Sequence, residues 1–354
     1  VLGEGKGKNM TLTARIILAT PLVALTLAAR AADTDRLISH LESVPSAEAS
    51  VYQLKDSNGA RMDCLKVFQG VGDEYAGVYY GVYHNLTNSV LVAHLARSTD
   101  LLNWTHVTAL DTHASQPTIR ACDGGAYVLA YEKDAPDSVW IRMRFYKNLQ
   151  DLLRGQFQKQ FDIPRTLAPT AEGTPSFESV QLSDNGIDTS EIQIRFHYYK
   201  NRDVDQLARG TLKDFKAWEA EPLAEINSEL RNKGWLGNLG DRDRLMWQGR
   251  AYYLQEIQQA RGDWSSWRLC LCDDKGMPIR TLSIRTHKGS TAFSNPSATW
   301  ITDSQKQRKL VVTLFLLSEG NPSAEVGTLL YAVNPSKVAS AEQGSEGDAV
   351  TRAP

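Results

Sequence analysis

The sequence predicts an all-β protein folded as a five-bladed β-propeller with a central pocket and a few short helical insertions. Three observations predict it. Strand-like segments dominate the middle of the chain: "AGVYYGVYHN", "AYVLAYEKD", "EIQIRFHYYK", "AYYLQEIQ" and "KLVVTLFLLSEG" are rich in β-branched or aromatic residues and bounded by Gly, Asn, Asp or Ser. A similar short opening, an apolar run and a turn recur five times, from Asp63, Gln116, Thr174, Asp243 and Asn295, in steps of 53, 58, 69 and 52 residues. "ARSTDLLNW" and "ARGTLKDFKAW" echo one another in the same phase, each closing on Trp. A repeat near fifty residues, with about four strands in each unit, is how a propeller blade reads in sequence. A pair of β-sandwiches would use the same strands but leaves the repeat unexplained.

The elements follow in order. Met10 opens a segment with the charge of Arg15, the apolar run 16–29 and small residues at Ala29 and Ala31, which reads as a secretory signal. The run is too short to span a bilayer comfortably. Residues 1–31 are therefore expected to be a leader, 32–335 the propeller and 336–354, small, polar and Gly-rich, a disordered tail. Two helices are predicted. "DTDRLISHLESV" sets Leu37, Ile38 and Leu41 on one face. "PLAEINSELRNKG" does the same with Leu223, Ile226 and Leu230, and lies inside the longest repeat step as an insertion.

Residues 1–31 hold Lys6, Lys8, Arg15 and Arg30 against Glu4, so the remainder carries 35 basic and 40 acidic residues, a net charge of −5. That is not the footprint of a nucleic-acid binder. The four cysteines lack zinc spacing. Cys270 and Cys272 would share a strand face without bridging, and a Cys64–Cys122 link is left open. Asn85-Leu-Thr and Asn103-Trp-Thr are glycosylation sequons, consistent with export.

With the five blades, the phrase "ARSTDLLNW" and the "EGTP" opening of the third blade on the page, the chain resembles the five-bladed glycoside hydrolases of family 43 and its relatives over about residues 50–335. The resemblance implies a base in the first blade, a second-blade acid that tunes a pKa, and a Glu before a Gly-Pro-like turn as proton donor. Glu172 matches the donor. Asp63 stands for the base, with Asp63-Cys64 in place of the usual Asp-Pro, and Gln116-Pro117 occupies the second-blade position. A Gln cannot supply that charge, so either Asp111 or His113 substitutes or the chemistry differs.

Glycoside hydrolysis needs two carboxyl groups flanking the bond, one of them kept protonated by burial or a neighbouring charge. "GNLGDRDR" adds Asp241 to Glu172 and Asp63 as a catalytic candidate, with Arg242 and Asp243 as substrate binders beside it. Glu178, six residues after Glu172, is a further binding candidate. Glu132 and Glu256 end similar strands at matching repeat positions, which implies either a channel wall or a shared structural hydrogen bond. Asp111, His113, His197, Gln116 and Asn295 complete the binding set, with Asp111, His113, Gln116 and Asp241 expected around one central cavity with Glu172, and Trp235, Trp247 and Tyr253 either stack on sugars or fill the spaces between blades. The expected function is a secreted glycoside hydrolase. A non-catalytic sugar-binding propeller and a polysaccharide lyase are the alternatives. A carbohydrate is the expected partner, with no cofactor, metal, nucleic acid or membrane, and the chain is expected to be a monomer.

Overall fold

The computed structural model describes residues 19–183, 186–200, 203–240 and 243–335. The expected tail, Asp241, Arg242 and the first part of the expected leader lie outside the described residues. Residues Ala19–Glu42 form one helix, α1, which contains residues 33–42 of the predicted helix "DTDRLISHLESV" and buries Leu37, Ile38 and Leu41. No described helix is long and apolar enough to cross a membrane.

From Leu41 onward the chain is one compact unit of five four-stranded antiparallel sheets. Strand β1 (Ala49–Val51) comes first and waits for the last blade. Blade 1 is β2 (Asp63–Phe68), β3 (Tyr79–Thr87), β4 (Val90–Ser98) and β5 (Thr105–Thr112). Blade 2 is β6 (Ala114–Ala121), β7 (Tyr127–Ala135), β8 (Ser138–Tyr146) and, after the short helix α2 (Leu149–Leu153), β9 (Lys159–Asp162). Blade 3 is β10 (Glu172–Ser183), β11 (Gly186–Lys200), β12 (Val204–Lys213) and β13 (Ala217–Pro222). Helix α3 (Ala224–Asn232) follows, and then blade 4: β14 (Asp243–Trp247), β15 (Arg250–Gln258), β16 (Trp267–Cys272) and β17 (Pro278–Thr281). Blade 5 is β18 (Phe293–Thr302), β19 (Arg308–Leu316) and β20 (Gly327–Val333), completed by β1 in the register Ala49↔Ala332 and Val51↔Leu330. One sheet thus joins the two ends of the propeller, closing the ring without an exposed seam.

The predicted blade count and the α3 insertion are both present. The echoing phrases are equivalent turns between the third and fourth strands of blades 1 and 3. In the first, Asp100 accepts the N–H groups of Leu102 and Asn103, and buried Trp104 donates Nε1–H to the Leu101 carbonyl at 2.8 Å. In the second, Trp218 lies where a Cβ on Gly210 would sit.

Apolar side chains fill the seams between blades. Val82, Leu95, Leu129 and Tyr131 join blades 1 and 2, and Met143, Phe177, Ile194 and Phe196 join blades 2 and 3. Burying each such side chain contributes about 1.5–3 kcal/mol. None of the four cysteines forms a disulfide. The Cys64–Cys122 link fails on position, since Cys64 neighbours Gln116 at the start of β6 and Cys122 follows its end, about 20 Å along the strand. Asn85 is buried, its amide oxygen accepting from Thr87, whereas Asn103 is exposed. Only the second sequon is open to modification in the folded chain.

Candidate functional site

The innermost strands share one construction at their first residues. Cys64, Gln116, Thr174 and Asn295 have left-handed φ of 54°, 53°, 52° and 47°. Each sits at a break in register with the second strand of its blade. These are β-bulges, which turn a side chain out of the ladder and toward the axis. Three of the four precede a proline, whose missing N–H costs nothing where the ladder is already interrupted. The blade 4 counterpart lies outside the described residues. The opening residue of blade 1 is therefore Cys64, not Asp63, and the predicted base is one position out of phase.

The five innermost strands leave a channel along the axis. At the opening end its neck, lined by Cys64, Gln116, Pro175 and Asn295, holds about 20 Å³. Past Lys66 and Thr118 it widens into a vestibule of about 370 Å³ at the far end.

A second ring of polar side chains surrounds the neck. Asp63 pairs with His84, Ser115 with Glu132 and Gly173 with His197, so His84, Glu132 and His197 hold one register position in successive blades. Their side chains act on the next blade. Gln116 donates its N–H to His84 Nδ1 at 3.2 Å, Thr174 Oγ1 donates to Glu132 Oε1 at 2.6 Å, and Asn295 donates its N–H to Glu256 Oε2 at 2.5 Å. Gly173 makes this possible for Glu132, because a Cβ there would stand 2.6 Å from Oε1. Gly240 does the same for Glu256. The matching glutamates thus form the shared structural hydrogen bond beside the mouth. His197 Nε2 lies 3.5 Å from Thr174 Oγ1, 4.0 Å from Glu132 Oε1 and 3.9 Å from Asp205 Oδ1. Cys64 donates its thiol hydrogen to Gln116 Oε1 at 2.8 Å. Burial pushes the Asp63 carboxyl above its usual range, against the opposing pull of Arg61, whose Nε lies 3.2 Å away.

The structure brings Asp63, Gln116, Glu132, His197, Glu256 and Asn295 to this mouth. Cys64, His84, Thr174 and Asp205 belong to it too and were missed. A signal for three of them was present: Cys64 and Thr174 open blades, and His84 repeats the position of Glu132.

Other candidates are elsewhere. Glu172 is 1 % exposed and turned away from the neck, its Oε1 accepting the N–H groups of Thr166, Leu167 and Ala168 at 2.7, 2.5 and 2.9 Å. That carboxylate anchors the loop ahead of β10. Glu178 lies in the seam between blades 3 and 4, bound by Arg195, Arg209 and the Tyr253 hydroxyl at 2.7, 2.6 and 2.8 Å. Burial would raise its pKa, but Arg209, Arg195 and Tyr253 outweigh it and hold the carboxyl below its usual range. Asp111 is on the outermost strand of blade 1. It meets the Tyr131 hydroxyl, Arg144, Arg142 and Lys133 of blade 2 at 2.7, 3.1, 3.2 and 3.4 Å. Burial is again outweighed, and the pKa is lowered. It cannot replace the missing second-blade acid, and the expected gathering of Asp111 around the pocket is corrected.

His113, exposed in the turn before β6, touches only the outer carboxylate of Asp134 at 3.2 Å among its described side-chain partners. Asp243 faces the vestibule rather than the mouth and pairs with Lys66 at 2.5 Å. Trp247 stacks on Trp300 and Tyr253 carries Arg195 on its ring, so both fill spaces between blades. Among the described residues no group of three His, Cys, Asp or Glu is placed to hold a metal ion.

Comparison with solved structures places the chain among propellers of this architecture. A thermostable family-43 glycoside hydrolase superposes with a TM-score of 0.52 at 12% identity, over 80% of this chain and 92% of that one. A putative glycosidase from Bacteroides thetaiotaomicron gives 0.49 at 11% identity, over 80% and 88%. The α-L-arabinanase of Cellvibrio cellulosa gives 0.46 at 12% identity, over 77% and 91%. No protein-family profile matches the sequence, and no curated protein matches it. The first likeness carries the fold: this is the five-bladed propeller also used by family-43 glycoside hydrolases.

Proposed function

We propose that the protein is a carbohydrate-active propeller that takes a sugar at the opening end of its axis and holds it without cleaving it. One observation carries this reading. The four described opening residues, Cys64, Gln116, Thr174 and Asn295, present a thiol, amides and a hydroxyl, and none is a carboxylic acid. Hydrolysis asks for two carboxyl groups flanking the bond, and the expected donor, Glu172, has its carboxylate in a backbone nest. Amides, hydroxyls and carboxylates fixed by neighbours suit the donor and acceptor pattern of sugar hydroxyls. Export of the protein belongs to the same proposal, and N-terminal sequencing of material from the culture medium tests it.

Hydrolysis is the second reading, favoured by Asp63, because a carboxyl that burial keeps above its usual range suits a proton donor. Screening purified protein against plant and fungal oligosaccharides, with binding and released reducing ends both read, separates the two. The first reading expects binding without new reducing ends, and a loss of about tenfold in affinity for Glu132→Gln, the scale of one hydrogen bond to a charged group. Reducing ends that appear with wild type and vanish with Asp63→Asn establish the second. Binding to none of the sugars overturns both.

A further inference from the structure

The vestibule at the far end of the axis is a site of different chemistry from the mouth. All five innermost strands contribute to it, and its volume of about 370 Å³ suits a small molecule. Its walls mix apolar and polar groups, with buried Ile119, Phe177 and Leu245 behind and Val71 and Met246, 45% and 42% exposed, at the rim.

The polar groups there are unevenly satisfied. Both oxygens of Asp243 are occupied: Oδ2 by Lys66 Nζ at 2.5 Å and the Ala298 N–H at 2.8 Å, Oδ1 by the Arg244 N–H at 3.0 Å. Gln69 is tied to the backbone of Thr302 through both ends of its amide, and Thr299 donates to the Val67 carbonyl. The carboxylate of Asp243 and the amide of Gln69 are thus engaged, while two guanidinium groups remain. Arg120 is exposed at the rim and, among the described residues, the Arg244 guanidinium donates only to the Glu178 carbonyl, at 3.4 Å. Among the described residues neither guanidinium is paired with a carboxylate. Lys66, Arg120 and Arg244 against Asp243 leave the vestibule with a formal charge of +2.

We infer that the vestibule binds a small carboxylate with a flat apolar body, its carboxylate on the guanidinium groups of Arg120 and Arg244 and its body against Phe177 and Met246. A planar guanidinium matches a carboxylate with two parallel N–H bonds, and two of them at an apolar cavity select charge and shape together. A neutral sugar would leave the apolar walls wet and the arginines unmatched. The inference stands independently of what the mouth binds.

Calorimetric titration with trans-cinnamate and trans-cinnamamide, which share a body and differ in charge, tests it on the whole chain. Cinnamate is expected to bind about tenfold or more tightly than the amide, the scale of a hydrogen bond to a charged group. Its affinity should fall with added salt. Arg120→Gln and Arg244→Gln should each bring cinnamate toward the amide, and Arg120→Lys, which keeps charge and loses the fork, should fall between. Arg120 is exposed, so its variants keep the fold, and circular dichroism checks both positions. Equal binding of acid and amide, binding of neither up to the solubility limit, or cinnamate affinity unchanged in Arg120→Gln overturns the inference.

Discussion

Asp111 and Glu178, in the seams between blades, are surrounded by cations. Asp111 meets two arginines and a lysine of the next blade, and Glu178 is clamped by Arg195 and Arg209. At the mouth, Glu132 is fixed by the hydroxyls of Thr174 and Ser115, and Glu256 by the Asn295 N–H. The partners of each carboxylate decide what it can do. A buried carboxylate saturated by guanidinium groups joins two blades and has nothing left for a ligand. One oriented by hydroxyl donors, as Glu132 is among the described residues, keeps acceptor positions for a ligand.

The comparison can be broken first at the seam. Arg195 is 0% exposed, so Glu178→Ala leaves a buried guanidinium without its carboxylate, at a cost of about 3–5 kcal/mol. Urea denaturation reads this directly, and a loss within experimental scatter would mean that the seam is not held by charge. Because the Asp111 and Glu178 pKa values are both lowered, their stabilisation is full above the ordinary carboxyl range, about pH 4. It is lost as pH falls through the depressed values. Acid denaturation should therefore begin later, at lower pH, in wild type than in a chain whose seam carboxyls titrate normally.

Glu172 sharpens the comparison at the next level. Glu172→Leu removes the acceptor of three backbone N–H groups and should cost about 2–3 kcal/mol, somewhat less than the seam. Glu172→Gln retains an acceptor oxygen and should cost less still. Neither should change the sugar affinity of the folded protein, measured by titration well below the unfolding midpoint. Lost affinity at full stability would return Glu172 to the site.

The smallest effect has the opposite sign. Burial raises the pKa of Asp63, so its contribution to stability is present below the ordinary carboxyl range and is lost as pH rises through the raised value. Asp63→Asn should therefore gain on wild type between about pH 4 and pH 7, where an unperturbed Asp changes charge and then stays ionised. Denaturant midpoints across that interval check the sign, and a variant that loses ground instead would mean that Arg61 dominates.

The five blades were legible because each repeats an apolar run behind a turn, and the insertion α3 because its apolar residues recur at helical spacing between Pro222 and Gly234. The phase of blade 1 was not, because Cys64-Leu65 lacks the proline that follows Gln116, Thr174 and Asn295. Glu172 looked catalytic because nothing in residues 166–168 announces three convergent backbone amides. Glu178 was ambiguous until the register set Arg195 opposite Arg209, two like charges that need a carboxylate between them. Which carboxylates have cations around them depends on strand pairing, within the blade for Glu178 and across the seam for Asp111, and the linear order of residues does not contain it.

The central claim is that a sugar occupies the mouth, directly above the neck. Cys64 lines that neck and is the one cysteine that is not buried. The rate at which iodoacetamide alkylates Cys64, measured by mass spectrometry with and without a saturating oligosaccharide from the screen, reads occupancy at that point. A bound sugar should slow Cys64 alkylation, while cinnamate at the far end of the channel should leave it unchanged. An oligosaccharide that binds by titration yet leaves the Cys64 rate untouched would contradict the account.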